Sequence, residues 1–181
     1  MKIAFLDRDG VINENIEGGY VTRWEEFEFL PGVKKAIRRL RESGYRIYIV
    51  SNQAGVNRGH MRMEDLLSIT EKMLDEIRAA GGDIDDVAYC PHRPDEGCGC
   101  RKPEPGMITM LAEKHGLDLR DGRAFFVGDA PTDIEAGRRA GLRGIFISDR
   151  TTRPVEGSEV VVGSLAEAVE WMIDHGGERV G

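Results

Sequence analysis

Two aspartates near the N-terminus, Asp7 and Asp9, have the spacing and position of groups that do chemistry. They follow a short apolar run, Ile3–Leu6, which predicts a β-strand. Side chains two residues apart on an extended chain point to the same side, so both carboxylates can converge on one ligand. Gly10 permits a sharp turn directly behind them. Because open α/β sheets bind ligands at the carboxyl ends of their strands, this position predicts a ligand site.

Polar residues also follow three later predicted strands. Each group alone is compatible with turn formation, a solvated surface charge or helix capping. Together they place a hydroxyl, a lysine and further acids at strand ends that meet at one edge of a parallel sheet. These residues are Ser51, Asn52, Gln53 and Ala54 after the second strand, Arg101 and Lys102 after the third, and Asp129, Ala130 and Asp133 after the fourth.

The combined acids predict a magnesium site. Asp7, Asp9 and Asp129 would supply the hard oxygen ligands that Mg²⁺ prefers, and such carboxylates repel one another until a cation neutralises them. Lys102 and Ser51 would then offer a positive charge and a hydrogen-bond donor. The set is suited to a phosphoryl group.

A second cluster, Cys90, His92, Cys98 and Cys100, has four soft metal ligands within eleven residues. Three thiols and one imidazole match a four-coordinate zinc site of the Cys₃His type. All four positions are filled by protein, which leaves no open position for a water nucleophile. The sequence therefore predicts a structural zinc ion in this loop, with free thiols beside a surface histidine as the alternative.

Apolar runs alternate with amphipathic stretches along the chain, and this alternation predicts a parallel sheet covered on both faces. The expected fold class is α/β, a Rossmann-like three-layer sandwich with a mostly parallel sheet, a zinc-binding loop and no large cap domain. Two long loops, 13–29 and 91–105, should overhang the site. The predicted strands are 2–6, 46–51, 86–90, 124–127 and 144–147, with a possible short sixth at 160–162; helical periodicity marks 33–40, 66–77 and 165–173, and a helix should begin after Asp129.

Composition restricts the possible partners. The 181 residues carry a net charge of −7, so there is no basic field to attract nucleic acid or an acidic membrane surface. No apolar run approaches the ~20 residues that cross a bilayer, and the N-terminus shows no signal peptide. Three cysteines in one short loop are a poor disulfide framework. We expect a cytoplasmic, monomeric protein with one domain over 1–181 and a frayed tail from Gly176.

The order of the motifs resembles the haloacid dehalogenase superfamily, in particular its phosphotransferases. The match covers residue 5 to about residue 133 and consists of Asp7-Arg8-Asp9-Gly10, Ser51-Asn52, Lys102, and Gly128-Asp129 with Asp133. The resemblance implies that one aspartate attacks phosphorus and forms an aspartyl-phosphate. It also implies an acid/base group that protonates the leaving alkoxide and then deprotonates the hydrolytic water.

These roles transfer to particular positions. Asp7 would be the nucleophile and Asp9 the acid/base. Mg²⁺ would contact Asp7, the Asp9 backbone carbonyl, Asp129 and the phosphate. Asp133 would orient Lys102 or a metal-bound water.

Further motifs are similar to those of the D-glycero-D-manno-heptose 1,7-bisphosphate 7-phosphatases, and this likeness extends over essentially the whole chain. They include Gly19-Tyr20-Val21, Phe27-Glu28-Phe29, the Cys-Pro-His loop and Cys-Arg-Lys-Pro. The resemblance implies a phosphorylated sugar substrate. By position, the implied substrate contacts are Glu17, Gly18, Gly19, Tyr20, Ser51, Asn52, Gln53, Ala54, Arg101, Lys102 and Ala130, and Arg58 is a further candidate for a second phosphate or sugar hydroxyls.

Two alternatives remain open at this point. The histidinol-phosphate phosphatases share the cysteine loop and the catalytic residues, and the five residues between His92 and Cys98 are typical of them. The strand exit 52–59 is instead typical of the heptose enzymes. The other alternative is a zinc-loop nucleic-acid-binding module, which Arg101 and Lys102 favour and the net charge opposes. The sequence thus predicts a Mg²⁺-dependent phosphomonoesterase for a small phosphosugar, with histidinol phosphate as the second candidate substrate.

Overall fold

The computed structural model describes residues 1–120 and 122–177, which form a three-layer α/β sandwich. Within these residues, six parallel strands pair in the order β3-β2-β1-β4-β5-β6. The strands are β1 (Lys2–Leu6), β2 (Tyr45–Asn52), β3 (Asp86–Cys90), β4 (Ala124–Gly128), β5 (Arg143–Ile147) and β6 (Ser158–Val162). The helices are α1 (Val33–Glu42), α2 (Met63–Ala79), α3 (Gly106–His115), α4 (Pro131–Ala140) and α5 (Leu165–His175).

The central strand β1 supplies both hydrophobic cores. Its residues 3–6 are completely buried, as expected for a parallel strand covered on both faces. Because side chains alternate across a strand, Ala4 and Leu6 pack toward α1, α2 and α5, whereas Ile3 and Phe5 pack toward α3 and α4. The first residues after β1 are therefore attached to the most enclosed part of the molecule.

The direction of chain progression reverses at β1. From β1 the chain winds to β2 and β3 on one side, and then returns to β4, β5 and β6 on the other. A reversal of this kind opens a crevice between neighbouring strands at their carboxyl ends. Asp7 follows β1 and Asp129 follows β4, so the two acids lie on opposite sides of this crevice.

The predicted fold class is confirmed, and the strand boundaries agree to within two residues. The sheet is entirely parallel in the described residues, and no large cap domain occurs among them. Helix α3 was not predicted. Its buried residues Met107, Ile108 and Leu111 form only a short apolar stripe, and Pro105 and Gly106, which are typical of loops, stand at its start. Both long loops contain one short 3₁₀ turn, Trp24–Glu26 and Pro94–Glu96.

Two expectations concern the chain ends and the membrane. The tail from Gly176 was expected to be frayed. The part of this tail beyond Gly177 lies outside the described residues. Among the described helices, none combines the length and the apolar character that crossing a membrane requires.

Candidate active site

A buried lysine joins two carboxylates at the crevice. The Lys102 ammonium lies 2.9 Å from Asp7 Oδ1 and 2.7 Å from Asp133 Oδ1. All three residues are at most 8% exposed. Charges with so little water around them interact far more strongly than surface pairs. The structure thus brings together three residues that are widely separated in the sequence and that the motifs singled out.

Lys102 reaches the crevice from the loop after β3 by passing across β2. Asn52 at the end of β2 fixes the lysine backbone: its Oδ1 accepts from the Lys102 N–H at 3.0 Å, and its Nδ2 donates to the Lys102 carbonyl at 3.2 Å. The ammonium also donates to the Val50 carbonyl at 3.0 Å. The side-chain amide of Asn52, which the resemblance implies as a substrate contact, is therefore engaged in positioning Lys102.

Two glycines make room for the acids that follow β4. Gly10 has a left-handed φ of 83°, and a Cβ there would lie 1.9 Å from Asp129 Oδ2. A Cβ at Gly128 would lie 2.2 Å from the Cβ of Asp133. Asp133 Oδ2 in turn accepts a hydrogen bond from the Ala130 N–H at 3.0 Å and so caps α4. Gly10 thus allows Asp129 to approach the loop after β1, and Gly128 allows Asp133 to pack against the end of β4.

The acids form a site that fits a divalent cation. One carboxylate oxygen from each of Asp7, Asp129 and Asp133 lies within 4.8 Å of the others. Burial, reinforced by the charge of Asp133, raises the pKa of Asp7 to about 8 and that of Asp129 to about 6, although Lys102 opposes both shifts. Carboxyls that resist ionisation in the bare protein are stabilised as carboxylates by a bound cation. The donor set consists of hard oxygens, as Mg²⁺ requires.

The raised pKa of Asp7 predicts how stability depends on pH. Its pKa is 3.8 ordinarily and about 8 when folded. Between these values the folded state binds more protons than the unfolded state, so this group makes the free energy of unfolding fall as pH rises. In EDTA, we expect Asp7→Asn to be more stable than the unchanged protein by at least about 1 kcal/mol at pH 8, with little difference near pH 4.

Urea denaturation at several pH values, with EDTA or with Mg²⁺, measures this difference. Added Mg²⁺ should stabilise the unchanged protein more than the variant, since only the former retains the Asp7 carboxylate. A difference between the two proteins that stays constant from pH 4 to 8 in EDTA would contradict the assigned burial of this charge.

Asp9 has different partners from Asp7. Its carboxylate accepts hydrogen bonds from Arg8 Nη2 at 2.9 Å, Asn13 Nδ2 at 2.9 Å and Gln53 Nε2 at 2.6 Å. Burial disfavours the charged form, but Arg8 and these hydrogen bonds outweigh it and lower the pKa of Asp9. Gln53 Nε2 also lies 3.0 Å from Ser51 Oγ, so one amide contacts both residues. The two aspartates, similar in sequence, thus differ in electrostatic environment.

Arg8, between the two aspartates, is completely buried. Its guanidinium carbon lies 5.9 Å from the ring centroids of both Phe27 and Tyr89, and its Nη2 pairs with Asp9. Stacked rings and one carboxylate offset the cost of burying the charge. This role is not evident from the sequence, because an arginine between two acids resembles a surface residue and its contact with the distant Tyr89 exists only in the fold.

A cleft of about 230 Å³ contains the cluster. Of the residues expected there, the lining includes Asp7, Asp9, Gly19, Tyr20, Ser51, Asn52, Lys102, Asp129, Ala130 and Asp133. It also includes four residues that were not among the expected contacts: Asn15, Ile16, Thr132 and Val21, the last of which belongs to the motif Gly19-Tyr20-Val21. The apolar Ile16 and Val21 lie on the long loop after β1, where sequence pattern alone gave no register.

Six expected substrate contacts are not among the lining residues of this cleft. Gln53 and Ala54 are buried below it, whereas Glu17, Gly18 and Arg58 are exposed. Arg101 is half-buried and donates from Nη1 to the His92 carbonyl at 3.3 Å. Their contact with a substrate larger than the cleft stays a prediction.

The cysteine loop assembles its four predicted ligands. The Sγ atoms of Cys90 and Cys100 are 3.0 Å apart, and His92 Nδ1 lies 3.2 Å from Cys100 Sγ. One ligating atom from each of Cys90, His92, Cys98 and Cys100 falls within 4.8 Å of the rest, and the three thiols are not disulfide-bonded. Burial raises the pKa of Cys90, while backbone and thiol hydrogen bonds outweigh burial and lower that of Cys98 to about 7. The donor set fits zinc.

Comparison with known proteins agrees with this geometry. Residues 2–153 match the family described as polynucleotide kinase 3 phosphatase. A heptose-1,7-bisphosphate 7-phosphatase of Helicobacter pylori is 33% identical over 172 residues, covering 94% of this chain and 97% of that protein. The Rhodopseudomonas palustris protein of the same name is 43% identical over 148 residues, covering 78% and 80%. Both names specify the β anomer, whereas a Photorhabdus laumondii relative at 37% identity is named for the α anomer.

A solved structure shows the same likeness in three dimensions. It is the D,D-heptose 1,7-bisphosphate phosphatase from B. bronchiseptica, complexed with magnesium and phosphate, which superimposes with a TM-score of 0.87 at 34% identity. The alignment covers 96% of this chain and 99% of that chain. With the extensive sequence matches, the chain therefore belongs to the D-glycero-D-manno-heptose 1,7-bisphosphate 7-phosphatase family of haloacid dehalogenase-like phosphatases.

Proposed function

We propose that this protein is a Mg²⁺-dependent phosphatase that removes the 7-phosphate from D-glycero-D-manno-heptose 1,7-bisphosphate. The buried array Asp7–Lys102–Asp133, with Asp129 across the crevice, is the observation that carries the chemistry. The substrate is supported by the names of relatives that match over most of the chain. The proposal treats 1–181 as one phosphatase domain, acting in carbohydrate metabolism.

The resemblance assigns different roles to the two aspartates. Asp7, next to Lys102, would attack phosphorus and form an aspartyl-phosphate, releasing the sugar alkoxide. Asp9 would have to carry a proton when the substrate binds; it would give that proton to the alkoxide and then take one from the water that hydrolyses the intermediate. Asn13 and Gln53 would orient the Asp9 carboxylate between these two transfers. Each half-reaction uses the same acid/base group in opposite directions.

The phosphoryl group would be bound from several sides. Lys102 would supply a positive charge and Ser51 a hydroxyl donor. Ala130 is the N-cap residue of α4, and the N-terminal end of a helix favours a bound anion. Asp7, Asp129 and the Asp9 carbonyl would hold Mg²⁺, which supplies charge neutralisation at the transferred phosphoryl group. Asp133 would keep Lys102 in place through their 2.7 Å contact. Asp133 is thus a positioning residue in this proposal.

Phosphate release from defined substrates tests the proposal. We would compare both anomers of heptose 1,7-bisphosphate with histidinol phosphate, in Mg²⁺, because the short cysteine loop favours the latter. We expect kcat/KM for the better bisphosphate anomer to exceed that for histidinol phosphate by at least ~100-fold, about 2.7 kcal/mol of transition-state discrimination. The reverse order would assign the protein to the histidinol-phosphate phosphatases, and no phosphate release from either would overturn the phosphatase proposal.

The cysteine loop, in the same proposal, holds a structural zinc ion through Cys90, His92, Cys98 and Cys100. The loop has few apolar side chains of its own, so a metal would supply much of its stability. By following β3 directly, it also fixes the start of the segment that carries Arg101 and Lys102. We propose no chemical step at this metal.

Metal analysis checks the zinc proposal. The purified protein should contain about one zinc per chain, and Cys100→Ser should lose most of it. We expect the variant to have a lower melting temperature and a weaker phosphatase activity, because the support of Lys102 is loosened. An unchanged zinc content in Cys100→Ser would contradict the ligand assignment.

The monomeric state and the cytoplasmic location of the protein stay predictions. Size-exclusion chromatography and cell fractionation would test them.

A further inference from the structure

A tyrosine that lines the cleft packs against a turn that follows a different strand. Tyr20 belongs to the long loop after β1, and it lines the cleft with its neighbours Gly19 and Val21. The packing partner is the segment 53–61 after β2, which we call the 53–61 turn.

Gly55 is a glycine because of the space that Tyr20 needs. Its φ is outside the left-handed region, so the backbone conformation alone does not require glycine. A Cβ at this position would lie 2.8 Å from Tyr20 Cγ and 3.0 Å from Tyr20 Cδ2. Because Cγ is the root of the ring, the whole ring would have to move. The Met61 methyl group, also 3.0 Å away, is the flexible end of a side chain and can yield.

His60 packs against the same ring. The His60 and Tyr20 ring centroids are 5.6 Å apart with planes tilted by 31°, within the range of favourable aromatic pairs. The 53–61 turn has its own backbone hydrogen bonds. The His60 N–H donates to the Gly55 carbonyl at 2.9 Å, and the Arg58 N–H donates to the Ala54 carbonyl at 2.9 Å. Gly55 and His60 are thus held in a fixed relation to each other.

The 53–61 turn is also attached to the site on one side and to the cysteine loop on the other. Gln53, at its start, contacts both Asp9 and Ser51. Asn57 donates from its backbone to the Pro91 carbonyl at 3.3 Å and from Nδ2 to the Glu96 carboxylate at 3.1 Å. Through the 53–61 turn, Tyr20 is therefore connected both to the carboxylate of Asp9 and to the cysteine loop.

We propose that Gly55 and His60 are specificity-determining positioning residues: they hold the Tyr20 ring where it contacts the polyhydroxylated chain of the substrate. This inference rests on the sugar substrate of the proposed function, but it does not depend on the proposed chemistry at Asp7. A ring held at the cleft mouth presents an apolar face to sugar C–H groups and a hydroxyl to sugar oxygens. A phosphate ester without such a chain offers the ring no sugar C–H groups or hydroxyls to contact.

A double-mutant cycle with two substrates tests the inference. The long substrate is heptose 1,7-bisphosphate, and the short one is para-nitrophenyl phosphate, an aryl ester used as a probe. We expect Gly55→Ala to lower kcat/KM for the bisphosphate about tenfold, mainly through KM, and to change the aryl ester less than about twofold. In a Tyr20→Ala background, Gly55→Ala should cause no further loss.

His60 has its own control. His60→Ala should reduce selectivity for the bisphosphate over the aryl ester, and His60→Phe, which keeps a ring against Tyr20, should restore it. Losses that add in the double variant, equal losses for both substrates, or His60→Phe behaving as His60→Ala would each overturn the inference. If the unchanged protein does not hydrolyse the bisphosphate, the proposed substrate fails and this inference fails with it; if the unchanged protein does hydrolyse it, the cycle tests the inference alone.

Discussion

Replacing Asp7 with asparagine should abolish phosphate release, lowering kcat by at least about 10³-fold at saturating substrate and Mg²⁺. The amide cannot attack phosphorus as the carboxylate does, and it is a poorer ligand for the cation that Asp7 and Asp129 would share. Because Asp7 is 8% exposed and lies beside Lys102, water cannot readily replace it. Phosphate release from heptose 1,7-bisphosphate measures the effect.

The matched control is Asp149→Asn. Asp149 follows β5 at the same edge of the sheet, but its side chain is 88% exposed. We expect the control to retain activity within about twofold. The Asp7→Asn protein should remain folded, as judged by circular dichroism. Activity above about 1% of the original in Asp7→Asn would require another nucleophile and would contradict the proposed mechanism.

Replacing Lys102 with methionine should cost more stability than any substitution of an exposed lysine. Burial opposes its charge, but Asp133 and Asp7 outweigh burial and raise the pKa of Lys102 above its ordinary value, so it is charged throughout the neutral range. Methionine fills similar space but leaves both carboxylates buried without their partner. We expect a loss of about 3–5 kcal/mol in the free energy of unfolding and no measurable phosphatase activity.

Urea denaturation of three variants checks this expectation. Lys34→Met removes a lysine from an exposed pair with Glu76 and should change stability little. The double variant Lys102→Met, Asp133→Asn removes one of the two carboxylates that Lys102→Met leaves without a partner. It should therefore be more stable than Lys102→Met alone, but equally inactive. If Lys102→Met is no more destabilising than Lys34→Met, the buried ion pairs contribute far less than their geometry indicates.

The sequence predicted the site best where simple geometry governs it. Parallel strands end at one edge of a sheet, so Asp7, Lys102 and Asp129 could be expected to converge before any coordinates were known. The four zinc-type ligands were found through their short spacing. Helix α3 was missed because its apolar stripe is short and a glycine begins it.

The functions of individual polar side chains were harder to predict. Asn52 and Gln53 lie on the expected strand exit, but their amides are directed at Lys102 and at Asp9. Which way an amide points depends on partners from other loops, and a single sequence does not contain that information. The burial of Arg8 likewise depends on Tyr89, which arrives from β3.

The position of β1 in the sheet has a consequence for hydrogen exchange. Its amides pair with β2 and β4 and the side chains of residues 3–6 are fully buried, so the amides of these residues should exchange only when the whole sheet unfolds. Exposed positions such as Glu17 and Gly18 should exchange through local opening. The proposed nucleophile, Asp7, thus directly follows a strongly protected strand, whereas the expected substrate contacts Glu17 and Gly18 lie in a weakly protected loop. Under the proposed function, substitutions in that loop would change which phosphate esters are accepted and leave the phosphoryl-transfer step unaltered.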